Sequence, residues 1–367
     1  ALASLNVTAA NITLNDGNVV TNGTQAYHGV LDLAADANLT GSTITTFGNV
    51  AGANHNLTIT GDAVLGDRNN VANSSISNVN ALLVTGNTSI ETGSITTSST
   101  QTYNGNVELV SDTTLNGTAV TLGKVDGNGD GNGTNSLTII GHAILGNASD
   151  SANSTITNVT ALTVDGTTDI GASDITTSGA QTYNGAVSLL SSDSTLNGTG
   201  ITFTSSVNGT GNLSIADGGA TTFNGSLNVS SLNVNASSIA LNEGNVTTTG
   251  AQAYTGNVTL GATNTTLNGT GITFNNNVDG NSSVSITDSG NTTFNGAVGT
   301  TNALASLNVT AANITLSAGN ISTVDTQTYN GAVILGSDNS LSSNGTTFAS
   351  TIDGNFTLGI LDAGTTT

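Results

Sequence analysis

The chain has 367 residues and a formal charge of −21, from 2 Lys plus Arg against 23 Asp plus Glu. It contains no Pro, Cys, Met or Trp, and charged residues are 7% of the total. Two cations cannot neutralise a phosphate backbone, so a nucleic-acid partner is excluded; zero Cys excludes disulfides, thiolate metal sites and Cys nucleophiles; no run of 18 apolar residues is present to insert this segment into a membrane.

Asn (51 residues) and Ser plus Thr (106 residues) dominate, but hydrophobic residues still make up 35% and are ordered. In chain order, SLNVT at 4–8, NITL at 11–14, LTIT at 57–60, AVSLL at 186–190 and GITF at 200–203 and 271–274 alternate apolar with small polar residues. Period-two alternation in Val, Ile, Thr, Tyr and Phe predicts half-buried strands. Asn-Gly, Asp-Gly and Gly-Asn pairs between these runs predict tight turns. No stretch is patterned as an amphipathic helix.

The chain repeats itself. Residues 1–18 and 303–320 agree at sixteen of eighteen positions, an offset of 302. This predicts one super-repeat over 1–302 and the start of the next over 303–367, continuous with the first. Within it, all five tyrosines lie in Gln-(Thr/Ala)-Tyr-X-Gly: Tyr27, Tyr103, Tyr183, Tyr254 and Tyr329, spaced 76, 80, 71 and 75 apart. Short strands at such a period predict an all-β, right-handed parallel β-helix, a β-solenoid of about 19 residues per coil. Stacked coils lie ~4.8 Å apart. That spacing explains the composition. A Pro would remove an N–H owed to the neighbouring coil, and long charged side chains would meet like charges coil after coil. Asn and Thr in successive coils would form hydrogen-bonded ladders. The Gly two residues after each Tyr predicts a tight turn, with the ring packed at a recurrent corner of the core.

The motifs TTSGAQTYNGAVSLL (176–190), STLNGTGITF (194–203), TTFNGAVG (292–299) and ALASLNVTAANITL (1–14 and 303–316) resemble repeats of very large bacterial exoproteins, the filamentous-haemagglutinin-like and autotransporter-type adhesins. The resemblance implies a right-handed parallel β-helix, secretion, and a place at the cell surface as adhesin stalk, filament or sheath. Secretion and anchoring segments of that family are not among these residues.

Residues that could carry chemistry are few. His28, His55 and His142 occupy non-equivalent repeat positions and read as surface drift; no catalytic residue is assigned, and the chain is expected not to be an enzyme. Lys124 and Arg68 are the only cations. Asp126, Asn128 and Asp130 have the i, i+2, i+4 spacing of a calcium loop with Gly131 at its turn, but Leu137 stands where the bidentate Glu belongs. A lengthened turn is the simpler reading, and calcium is the only cofactor the sequence raises. Asn-X-Ser/Thr occurs 29 times, nearly twice the chance number for this composition. Either these asparagines carry sugars, with Asn6, Asn11, Asn308 and Asn313 as test sites because they recur at the super-repeat offset, or the pattern only sets both side chains on one strand face.

The expected function is an extracellular structural repeat forming a stiff rod, as adhesin stalk or surface filament. Its partners would be further copies end to end, or a longer chain, with glycans. The alternatives are a carbohydrate- or host-surface-binding face, which aligned exposed aromatics would favour, and a polysaccharide-degrading β-helix enzyme, which carboxylates gathered in a groove would favour.

Overall fold

The computed structural model describes residues 1–131, 133, 135–146, 154–190 and 193–367. They are almost entirely β, in parallel strands wound as a solenoid of about 17 turns. Two compact units cover Ala1–Gly185 and Ala186–Thr367.

In the first unit each turn carries three short strand runs, and every run pairs in parallel with the run one turn on. One inner column reads Ile12, Leu31, Val50, Ile76, Ile95, Leu115, Ile139, Val164. All eight are buried. Truncating such a mid-column residue to Ala would cost about 2–5 kcal/mol through lost burial and an unfilled cavity. The second unit repeats the plan, as in Leu213, Leu232 and Gln252, or Ile286, Val309, Tyr329 and Phe348.

The turns are slightly longer than the expected 19 residues. They average roughly 20, because some carry loops. Leu31 pairs with Val50 but Leu57 with Leu82, and the second interval holds a short 3-10 turn at Val71–Asn73. Extra residues leave the ladder at a corner and rejoin it in register, so they lengthen a turn without shifting a face.

The 302-residue repeat is exact in register. Leu5, Val7, Ile12 and Leu14 pair with Gln25, Tyr27, Leu31 and Leu33. Leu307, Val309, Ile314 and Leu316 pair with Gln327, Tyr329, Val333 and Leu335. Within the second unit the ladder runs on through residue 302, as Val284 pairs with Leu307.

Candidate functional site: polar corners, ladders and a groove

The Gln-X-Tyr-X-Gly motif builds one corner five times. Gln and Tyr both point inward, at no more than 1% exposure. The tyrosine hydroxyl donates to the Gln Oε1 two residues back, at 2.7 Å in Tyr27, 3.0 Å in Tyr103, 2.9 Å in Tyr183, 2.9 Å in Tyr254 and 2.8 Å in Tyr329. The Gln Nε2 then donates to backbone carbonyls. Gln101 reaches Ile95 O at 3.0 Å and Asn116 O, on the next turn, at 2.8 Å; Gln25 and Gln327 do the same. Four residues before each Gln a Thr closes the bend, as Thr177 Oγ1 donates to Gly179 O at 2.8 Å. Burial pushes the Tyr27 phenol up to about 12 and raises the other four as well.

The Gly after each Tyr is a close-approach position. A Cβ on Gly29, Gly105, Gly185, Gly256 or Gly331 would stand 1.8–2.4 Å from a carbonyl oxygen of an adjacent turn. The expected tight corner is therefore present, but it does not stack into one stripe. Tyr27 shares its column with Thr46, Tyr103 with Val84 and Leu122, and Tyr183 with Val164. Eleven strand runs separate Gln25–Tyr27 from Gln101–Tyr103, at three runs per turn. Each repeat thus advances three and two-thirds turns, not the four coils that a 19-residue coil would give, and successive tyrosines land on different faces.

A second version of this corner escaped the sequence reading. It exchanges three positions together: Thr for Asp, Gln for Thr and Tyr for Phe. Asp217 Oδ1 accepts from the Gly200 and Gly219 amides at 2.7 Å each, and its Oδ2 accepts from Ile201 N at 2.9 Å and Thr221 Oγ1 at 2.8 Å. Asp288 holds the same four donors in Gly271, Gly290, Ile272 and Thr292, at 2.7, 2.7, 2.9 and 2.9 Å. Both carboxylates are at most 5% exposed. Phe needs no acceptor, so the Gln becomes dispensable. The shared spacing, Asp-X-Gly-X-Thr-Thr-Phe against Thr-X-X-X-Gln-X-Tyr, was the available signal. Asp362 makes a third version, accepting from Thr346 N at 2.9 Å and from the Ser343, Thr346 and Thr366 hydroxyls. Aromatic rings stack in the column between the Tyr254 and Phe294 corners: Tyr254 on Phe274 and Phe274 on Phe294, with centroids 5.1 and 5.4 Å apart.

Two members of the calcium triplet, Asp126 and Asp130, accept hydrogen bonds within the loop and from the next turn. Asp126 Oδ1 accepts from Asn128 N and from Asn158 Nδ2 on the next turn, both at 3.0 Å. Asp130 Oδ1 accepts from Asn135 Nδ2 at 3.2 Å. Buried Asn135 also donates to Leu109 O and Gly127 O at 2.9 and 2.8 Å, which ties the loop to the turn before it. Among the described residues no group of three His, Cys, Asp or Glu is placed to hold a metal ion.

The histidines stay apart. His28 stacks on Phe47 at 4.2 Å. His55 Nδ1 lies 3.5 Å from Asp36 Oδ1. His142 sits between Thr167 Oγ1, 2.7 Å from Nδ1, and Asp169 Oδ2, 3.3 Å from Nε2. Each contact joins adjacent turns.

The asparagine ladders are present on the outer surface. Asn80 donates to Asn56, Asn242 to Asn224 and Asn295 to Asn275, at 2.9, 2.7 and 3.1 Å. Of the four sugar-acceptor candidates, Asn6, Asn11 and Asn308 are exposed and Asn313 is half-buried. Asn313 Nδ2, the atom a glycan would take, donates to Asn291 Oδ1 at 2.9 Å. Asn308 uses only its oxygen, accepting from Asn330 at 3.1 Å.

One groove stands out in the first unit, with a volume of about 280 Å³ and walls that include Thr43, Asp62, Asn87, Ser89, Asn106 and Glu108. Its floor is an Asx ladder: Asp62 Oδ1 accepts from Asn87 N at 2.8 Å, and Asn87 Oδ1 from Asn106 N at 3.0 Å. Nearby, Arg68 clasps Glu91 Oε1 through Nε at 3.0 Å, while its amide reaches Oε2 at 3.1 Å. Hydrogen bonding to Glu91 and that carboxylate's charge raise the Arg68 pKa, and the fields of Asp130 and Glu108 add to the effect. Lys124 pairs in register with Asn106, beside the same ladder. Charges foreign to the repeat pattern thus gather on one side of this unit.

No protein-family model, curated protein or solved structure matches the chain.

Proposed function

We propose that the chain is a structural segment of a secreted bacterial exoprotein, acting outside the cell as an adhesin stalk or surface filament. The observation that carries this reading is the polar corner, buried in seven of its eight occurrences. Eight times the chain places its most specialised residues, Gln with Tyr or an Asp with its hydroxyl and amide donors, where they bind backbone of their own and adjacent turns. Residues placed this way hold turns together, and a protein built of such turns has persistence and length as its output. The resemblance of the repeats to filamentous-haemagglutinin-like adhesins points the same way. Immunogold electron microscopy of source cells tests it: label on surface fibres is expected, and label confined to the cell interior would end the proposal. Sugars at Asn6, Asn11 or Asn308 would show as an intact mass above the bare 36.0 kDa polypeptide.

A second reading, carbohydrate binding, is supported by the groove over Asp62, Asn87 and Asn106. Its carboxylates, amides and hydroxyls match the donors and acceptors of a sugar. Hydrolysis finds less support there. Asp62 and Glu108 are exposed, whereas a glycosidase acid is kept protonated by an apolar pocket. A glycan array separates the readings: retention lost on Asp62→Ala would favour a binding face, and no retention would leave the structural role alone.

A further inference from the structure

Three outward side chains on two adjacent turns of the first unit belong to none of the polar corners. His142 lies in the strand Leu137–Leu145 and Asp169 in Thr168–Ile170, with Thr167 just before it. Ala143 pairs with Thr168 and Ile144 with Asp169, and Ala143 N donates to Thr167 O at 2.8 Å. That register sets the His142 ring against Thr167 and Asp169 together. Its Nδ1 lies 2.7 Å from Thr167 Oγ1 and its Nε2 3.3 Å from Asp169 Oδ2. With the ring proton on Nε2, facing the carboxylate, Nδ1 is left to accept from the hydroxyl. The order is nucleophile, base and orienting carboxylate.

The backbone holds both turns close. His142 and Thr167 each follow a glycine; a Cβ on Gly141 would stand 1.8 Å from Gly117 O, and one on Gly166 2.0 Å from Gly141 O. One repeat earlier, 80 residues back, the same three positions are Asp62, Asn87 and Ser89. There the Asn87 amide donates to Asp62 Oδ1 at 2.8 Å. His142 replaces that acceptor, and among the described residues the Thr167 amide has no partner. It is open to an oxygen brought to Thr167, and a nucleophile's own amide is a common donor to an oxyanion. Thr167 is exposed, so its hydroxyl is reachable. Ala119 and Ile144, which pair with His142 and Asp169, are half-buried and give a short acyl chain an apolar place to lie.

We propose that Thr167, His142 and Asp169 hydrolyse short-chain acyl esters. Thr167 Oγ1 attacks the ester carbonyl carbon as His142 Nδ1 takes its proton, and the Thr167 amide binds the oxyanion. The bond from that carbon to the alkoxy oxygen breaks, and His142 gives the proton to the departing alcohol. Water, deprotonated by His142, then attacks the acyl-threonine. The bond from the acyl carbon to Oγ1 breaks, the proton passes to Thr167, and the carboxylic acid leaves. Asp169 touches only the imidazole and is a positioning residue that keeps the ring in its reactive tautomer. This activity is additional to the structural role proposed above and does not depend on it.

Release of 4-nitrophenol from its acetate ester by the full-length chain tests this. The wild type is compared with Thr167→Val, Thr167→Ser, His142→Gln and Asp169→Asn. Thr167→Val keeps the shape and removes the nucleophile. His28 and His55 remain in every chain, so any hydrolysis by exposed imidazole is common to all. Thr167→Val and His142→Gln are expected to lose about 100-fold in rate, and Thr167→Ser to retain activity. Asp169→Asn should lower kcat with KM unchanged, a split that loss of packing alone would not produce. A wild type no faster than Thr167→Val overturns the proposal. So does activity that survives Thr167→Val and is lost in His142→Gln, because that is an imidazole acting alone. A measurement on the wild type guards against a variant that fails to fold: chain quenched during turnover should carry an acetyl group on Thr167, and acetyl found only on histidine, or none, overturns the proposal.

Discussion

Tyr254 donates its hydroxyl to Gln252 Oε1 at 2.9 Å, and Gln252 Nε2 in turn donates to Asn268 O at 2.7 Å on the following turn. One side chain satisfies the other, and the pair satisfies backbone that the strand ladder leaves over. Removing half of such an arrangement costs more than its net worth, because the remaining half is buried and unpaired. Tyr254→Phe, which orphans one acceptor, is expected to lower stability by about 1–3 kcal/mol. Gln252→Ala, which orphans the phenol and a carbonyl, should cost more. The triple exchange Thr248→Asp, Gln252→Thr, Tyr254→Phe installs the other corner and should recover most of the loss. Denaturant melts of the three chains check this; a triple variant weaker than the worst single would refute interchangeability.

Asp288→Asn changes one atom's chemistry. The Ile272 amide and the Thr292 hydroxyl, or the two glycine amides, would then face an NH2 group instead of an oxygen. Loss of charge-assisted bonds in a buried site predicts a cost of about 3 kcal/mol. Exposed Asp353→Asn is the control and should stay within about 0.5 kcal/mol.

Gly256 and Gly123 make a paired test of the corner. A Cβ at Gly256 would lie 2.2 Å from Ala236 O, at a φ of +140°, whereas one at Gly123 meets nothing within 4 Å. Gly256→Ala should lower the thermal midpoint markedly or prevent folding of that turn, and Gly123→Ala should be neutral or slightly stabilising. Comparable melts for the two would contradict the close approach.

The buried phenols predict a sharp alkaline limit. An unfolded tyrosine loses its proton near 10, while Tyr27 holds its own until about 12 and the other four are also raised. Between those values the unfolded chain gives up its phenol protons more readily than the folded one, so stability falls as pH rises above 10. Tyrosinate absorbance should appear together with loss of β circular dichroism, not before it. At the acid end Asp362 behaves in the opposite sense. Burial alone would raise its pKa, but donation from Ser343, Thr366 and Thr346 outweighs this and holds it below the ordinary carboxylate value. The stability it lends the last turn is present above the unfolded value and is lost as pH falls through the lowered one. Hydrogen exchange on acidification should open residues around 343–366 before the Gln101 corner.

The period-two alternation, the glycine after each tyrosine and the missing proline made the solenoid legible, since each is a local consequence of stacking. The Asp217 and Asp288 corners were not legible. An Asp two residues before a Gly also reads as an ordinary exposed turn, and only the preceding turn's amides make it a buried acceptor. The face each tyrosine occupies was hidden for a related reason. It depends on the turn length, which loops such as the one after Gly66 change by several residues without any mark in the motif. The Asp62 groove draws on residues 43–108, spread over four successive turns, and no linear spacing announces it.

Because every polar corner is satisfied by its own turn and an adjacent one, the chain can be lengthened or shortened by whole repeats without stranding a donor or acceptor. A recombination event between the two near-identical stretches at 1–18 and 303–320 would add or delete 302 residues and present the same pairs at the seam. For a gene carrying this sequence, reach becomes a quantity that copying errors can tune, at little risk to the product's ability to fold.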